Sequence, residues 1–119
     1  MMGPVASEIR VRRGTRCLEV AFEDGRRFSL PAEYLRVESP SAEVQGHAPN
    51  ERKLVGGKQD VNIEQVEPIG NYAVRIRFTD GHDTGIYSWS LLDQLGREYD
   101  RRWAAYLAAL AERGLQRGS

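Results

Sequence analysis

The chain has 119 residues, 17 basic and 17 acidic side chains, two histidines and one cysteine, a length that fits one domain and not two. A formal net charge of zero argues against a dedicated nucleic-acid binder, which carries a basic excess. One cysteine forms neither an internal disulfide nor a zinc site of several thiolates, and no run approaches the roughly 18 apolar residues of a membrane span.

Residues 1–7 lack the charged-then-apolar pattern of a secretory leader and read as a flexible start. A cytoplasmic chain with a reduced, packed Cys17 is the matching expectation. Ile9 and Val11 alternate with Arg10 and Arg12, the period-two signature of a half-buried strand. Arg13-Gly14-Thr15 makes a turn, and Cys17, Leu18, Val20 and Phe22 form a second strand. Glu23-Asp24-Gly25 is a second turn, and residues 26–30 return as a third strand. Pro31 opens a helical turn over 31–36, because proline suits the first turn of a helix. Residues 39–59 carry prolines, glycines and polar residues without a period, and a loop of that length in a small domain is usually functional.

Residues 60–68 read as an irregular strand. Residues 72–78 are the clearest one, with Tyr72, Val74, Ile76 and Phe78 on one face and Ala73, Arg75 and Arg77 on the other. Residues 79–83 are a hairpin turn, and 84–87 pair back. Ser88 is an N-cap candidate for a short helix over 89–95, with Gly96 as its stop. Residues 97–113 are the longest predicted helix. Its stripe of Tyr99, Trp103, Tyr106, Leu107 and Leu110 is expected to pack on the sheet, with a partner or dimer interface as the alternative. Residues 114–119 read as a frayed tail. Strands followed by helices predict an α+β class: a small, mostly antiparallel β-sheet domain with short helices and a longer C-terminal helix.

Three blocks carry a resemblance. They are Leu30–Arg36 running into Ser39–Gly46, Asp60-Val61-Asn62-Ile63, and Gly70–Ile76 with Asp80–Trp89. Together they resemble the bacterial family of gamma-butyrobetaine hydroxylase-like N-terminal domains, over residues 8–96. In that family the same domain precedes the catalytic barrel of gamma-butyrobetaine and trimethyllysine hydroxylases, and related domains accompany iron–sulfur carrier ATPases. This chain has neither the barrel that supplies an iron triad nor a P-loop. The resemblance implies a structural zinc in the hydroxylases, held by three cysteines and a histidine. The matching positions here are Ser39, Ser41, Val44 and His82. Two hydroxyls and a valine do not replace thiolates, so no metal and no other cofactor is expected. Hydrogen bonds from Ser39 and Ser41 to the His82 hairpin are expected instead.

The candidate ligand or partner contacts are His82, Asp80 and Asp83 in the hairpin, Tyr87 and Trp89 as an aromatic wall, and Arg75 and Arg77. Arg10 and Arg12 are expected to share one sheet face with the last two and to suit carboxylates or phosphates. His47 reads as a solvated loop histidine, and Asn71-Tyr72 as a turn residue and a packed strand residue. No nucleophile, base and orienting group can be assembled. The expected function is therefore a non-catalytic adaptor domain with a protein partner, a metalloenzyme or an iron–sulfur protein by analogy, acting as a monomer or weak dimer. The alternative is a small-molecule or residual metal-binding domain centred on His82.

Overall fold

Alternating apolar and polar side chains over residues 6–31 build an antiparallel meander. The computed structural model describes residues 3–41, 54 and 56–118. In it, β1 (Ala6–Arg12), β2 (Cys17–Phe22) and β3 (Arg27–Pro31) form one sheet in the order β1-β2-β3. Leu18, Val20 and Phe22 of β2 turn inward and are buried, with Leu30 of β3 beside them. The opposite side of the sheet carries the Arg10–Glu19–Ser29 row. Helix α1 (Ala32–Val37) follows β3 directly.

A second sheet holds β4 (Ile63–Ile69), β5 (Ala73–Phe78) and β6 (Gly85–Ser88) in the order β4-β5-β6. Gly81, at φ 91°, closes the β5–β6 hairpin in a conformation that a Cβ disfavours. Helices α2 (Trp89–Arg97) and α3 (Tyr99–Glu112) complete the chain. Ser88 Oγ accepts from the Leu91 amide, the N-cap bond expected of it.

The two sheets share one apolar core. Leu18, Val20, Phe22 and Leu30 meet Val74, Ile76, Phe78 and Tyr87, with Tyr34 and Leu35 of α1 and Leu92 and Leu95 of α2. The Tyr34 hydroxyl donates to the Leu95 carbonyl at 2.7 Å, tying α1 to α2 through the core. The fold is α+β, as the pattern predicts, and no described helix is long and apolar enough to cross a membrane.

Several local expectations are corrected. β1 begins at Ala6, so the last two residues of the supposed flexible start are strand. Tyr72 precedes β5 and is 57% exposed, because the strand starts one residue later, at Ala73. Gly96 does not stop α2, which runs on to Arg97. Its role is steric: a Cβ there would stand 2.4–2.6 Å from the Phe28 ring. The aromatic stripe of α3 meets α1 in place of a sheet. Tyr106 and Leu110 bury against Val37 and Leu54, and Tyr99 and Trp103 set their rings edge-on to Tyr34 at 4.8 and 6.2 Å.

The tail is not frayed at its start. Gln116 and Arg117 accept backbone bonds from Gly57 and Gln59, both at 2.9 Å. Arg117 also grips Glu33 with two guanidinium nitrogens at 3.1 and 2.8 Å and lies over the Trp103 ring. Within the 39–59 loop, residues 42–53 and 55 lie outside the described residues, and Val44 and His47 with them.

Candidate functional site

The hairpin between β5 and β6 carries His82, and the segment leaving α1 crosses over it. Ser39 and Ser41 are buried there. Ser39 Oγ and His82 Nε2 are hydrogen-bonded at 2.9 Å, and the Ser41 amide donates to Ser39 Oγ at 3.3 Å. The Ser41 and Thr84 hydroxyls pair at 2.6 Å. Gly85 makes this crossing possible, since a Cβ on it would stand 2.6 Å from Ser39 Oγ. Sequence reasoning missed Thr84 and Gly85. The signal was a glycine within a strand, which often marks close approach of another chain segment.

Zinc does not fit this arrangement. Ser39 Oγ and His82 Nε2, two of the four matching positions, are hydrogen-bonded to each other. Serine hydroxyls also lack the charge of thiolates. Among the described residues, no three His, Cys, Asp or Glu side chains are grouped to hold a metal ion.

The two hairpin aspartates do not converge on His82. Asp80 Oδ2 accepts from Arg36 Nε at 2.8 Å and from Lys58 Nζ at 2.6 Å. Asp80 Oδ1 accepts the His82 amide at 3.1 Å. Burial by itself pushes the Asp80 carboxyl up. Lys58, the His82 amide and Arg36 outweigh it and hold the group at about 2. Asp83 goes the other way, half exposed and 4.0 Å from Arg77. Asp80 is thus a counter-ion to Arg36 and Lys58, and Asp83 belongs to the outer face of the second sheet.

That difference sets an acid dependence. The folded carboxyl of Asp80 titrates below its unfolded value of 3.8. Its contribution to stability is therefore present above that value and is lost as pH falls towards about 2. In urea titrations at pH 6 and pH 2.5, Asp80→Asn should be less stable than the parent chain at pH 6. The gap should narrow at pH 2.5. A gap independent of pH would show that Asp80 acts through shape alone.

The remaining candidates are structural or separate. Tyr87 is fully buried and its hydroxyl donates to the Leu35 carbonyl at 2.5 Å. Burial pushes that phenol far up, so it is a fixed donor and not part of an aromatic wall. Trp89 is partly buried against the core, with its indole N–H on the Asn71 carbonyl at 2.8 Å. Arg75 pairs with Glu67 at 2.6 Å, and Arg77 lies 3.7 Å from Glu64. Arg10 pairs with Glu8 and Arg12 with Glu19, on the other sheet. The four arginines therefore do not form one face. Cys17 is buried, and Ser29 Oγ donates to its sulfur at 3.2 Å.

The surface also holds a groove of about 420 Å³ between α3 and the tail, lined by Leu107, Leu110, Ala111 and Leu115, with Gln59 and Arg117 at its rim. Leu107 and Leu115 are 38% and 43% exposed.

Comparison with known proteins places this geometry. Two structures solved by NMR in solution are 43% and 44% identical to the chain. The first covers 96% of this chain and 90% of its own, with a TM-score of 0.82. The second covers 97% and 86%, with a TM-score of 0.84. A crystal structure from Acidithiobacillus ferrooxidans, described as a protein of unknown function of the DUF971 family, is 40% identical. It covers 76% of this chain and 91% of its own, with a TM-score of 0.65. No curated protein matches the sequence. The model of the family described as "Gamma-butyrobetaine hydroxylase-like, N-terminal" matches residues 9–93. The chain belongs to that gamma-butyrobetaine hydroxylase-like N-terminal family.

Proposed function

We propose that the domain is a non-catalytic, cytoplasmic protein-interaction module that takes its partner on the groove between α3 and the tail. The observation that supports this reading is the pair of exposed leucines, Leu107 and Leu115, over the floor made by Leu110. Apolar side chains brought together at a surface and rimmed by polar groups mark association sites. His82 and Asp80 of the hairpin are engaged with Ser39, Arg36 and Lys58 of the same chain, which favours the groove as the partner surface. The partner class is a metalloenzyme or an iron–sulfur protein, by analogy with the oxygenases and carriers that relatives accompany. The protein acts as a monomer or weak dimer and does not engage nucleic acid.

Affinity purification from native lysate tests the reading. The parent chain should recover a discrete metalloprotein, and Leu107→Glu combined with Leu115→Glu should lose it at least tenfold with an unchanged circular dichroism spectrum. Equal recovery by both would remove the groove from consideration.

The alternative, a residual metal or small-molecule site at His82, has weaker support because Ser39 Oγ occupies Nε2. Protein purified without chelator should contain less than one tenth of an equivalent of zinc by elemental analysis. One tightly held equivalent would restore the metal reading.

A further inference from the structure

Among the described residues, the ion cluster beside the His82 hairpin sets two cations against one carboxylate. Arg36 and Lys58 both donate to Asp80 Oδ2, and Asp80 Oδ1 is taken by the His82 amide. Two cations thus face one carboxylate. The neighbouring acids are committed elsewhere, Glu38 to Arg102 at 2.6 Å and Asp83 towards Arg77.

The Arg36 side chain is only 11% exposed. Its Nη1 is buried and has no hydrogen-bond partner among the described residues. A buried guanidinium nitrogen without an acceptor is costly, and folded proteins fill such positions with an ion or an ordered water. The surplus positive charge favours the ion.

We propose that Arg36 and Lys58 form a binding site for one small oxyanion, a phosphate or a carboxylate. Arginine nitrogens match either group in geometry and charge, and lysine adds a mobile point charge. Nη1 is enclosed, so admitting the anion requires a side chain to move, and we assign that movement to Lys58, which is 23% exposed. Its flexible stem turns Nζ from Asp80 to the anion, Arg36 Nε stays on Asp80, and Arg36 Nη1 gains its acceptor. None of these side chains lines the α3 groove, so this site stands or falls apart from the partner reading.

The test is a titration of ¹⁵N-labelled protein with sodium phosphate or sodium acetate, against sodium chloride at equal ionic strength. Saturable shifts of the Arg36 Nε–H and of the Lys58, Gly81 and His82 amides, absent in chloride, are the expected result. A response to phosphate alone or to acetate alone identifies the oxyanion. Arg36→Lys keeps a cation beside Asp80 but removes Nη1, and should weaken binding about tenfold, the loss of one charge-assisted bond. Lys58→Gln should also weaken it, and decides the matter if Arg36→Lys does not fold. No saturable response to either oxyanion, or one undiminished in both variants, overturns the proposal and leaves Nη1 with an ordered water only.

Discussion

Replacing Arg117 by alanine should lower the stability of the fold by about 3 kcal/mol, at the lower end of what breaking a buried ion pair costs. Arg117 sits in the segment that sequence alone reads as a frayed end, yet it is the counter-ion of Glu33. The Glu33 side chain is 6% exposed and receives two guanidinium nitrogens. Deleting the guanidinium leaves that carboxylate buried without its cation. Arg117 is itself 41% exposed, which is why the lower end applies. Thermal unfolding should move down by roughly 10–15 °C for a domain of this size. Arg117→Lys should recover part of the loss, since an ammonium restores charge without the fork. Glu33→Leu combined with Arg117→Ala should recover most of it, because an apolar replacement of the pair removes the stranded charge. A loss below about 0.5 kcal/mol for Arg117→Ala, the size of a neutral surface change, would mean that the tail detaches freely.

Gly96→Val should cost 3 kcal/mol or more, at or beyond the usual range for overpacking a core. A Cβ at this position would lie 2.4–2.6 Å from three atoms of the Phe28 ring. The ring cannot swing aside easily, since it also packs edge-on against Phe22 at 6.0 Å. Helix propensity pulls the other way, because any residue except proline is a better helix former than glycine. The sign of the change therefore separates the two roles of Gly96. Urea denaturation of Gly96→Val, alone and with Phe28→Ala, measures it. The double variant should regain more than half of the loss caused by Gly96→Val within the Phe28→Ala background. A single variant as stable as the parent chain would show that α2 shifts away from β3 at little expense.

These two positions also show what the sequence hides. β5 is legible because burial imposes a period of two on Val74, Ile76 and Phe78, and the hairpin glycines Gly25 and Gly81 sit where positive φ is needed. The Ser88 cap was legible because it is a local contract between a hydroxyl and an amide three residues on. Gly96 was misread because a glycine near a helix end is ambiguous. Its reason lies on Phe28, 68 positions earlier in the chain. Glu33, Glu38 and Asp93 look like ordinary surface acids in sequence, yet each is buried. Besides the local Asp93–Arg97 pair, their arginines, 117, 102 and 26, lie 64 to 84 residues away. No local pattern reports such pairs.

The candidate site divides in the same way. His82 was legible as the meeting point with Ser39, because a resemblance pointed at both. Arg36 and Lys58 were not, because they reach Asp80 from α1 and from the segment before β4. Tyr72 differs by boundary and not by register: Val74, Ile76 and Phe78 are buried as the alternation predicts, but the strand starts at Ala73 and Tyr72 falls in the turn before it.

The strap formed by the tail has an energetic consequence of its own. The carbonyls of Gln116 and Arg117 hold the amides of Gly57 and Gln59, and Arg117 holds Glu33 across 84 residues. The Arg117–Glu33 contact closes a loop of 84 residues, so its entropy cost falls late in folding. The strap can open while the two-sheet core stays intact, which makes it a separate cooperative unit with a smaller opening free energy than the whole. Protection from solvent exchange at Gly57 and Gln59 is then a local gauge of the grip of the tail and carries no information about the stability of the core.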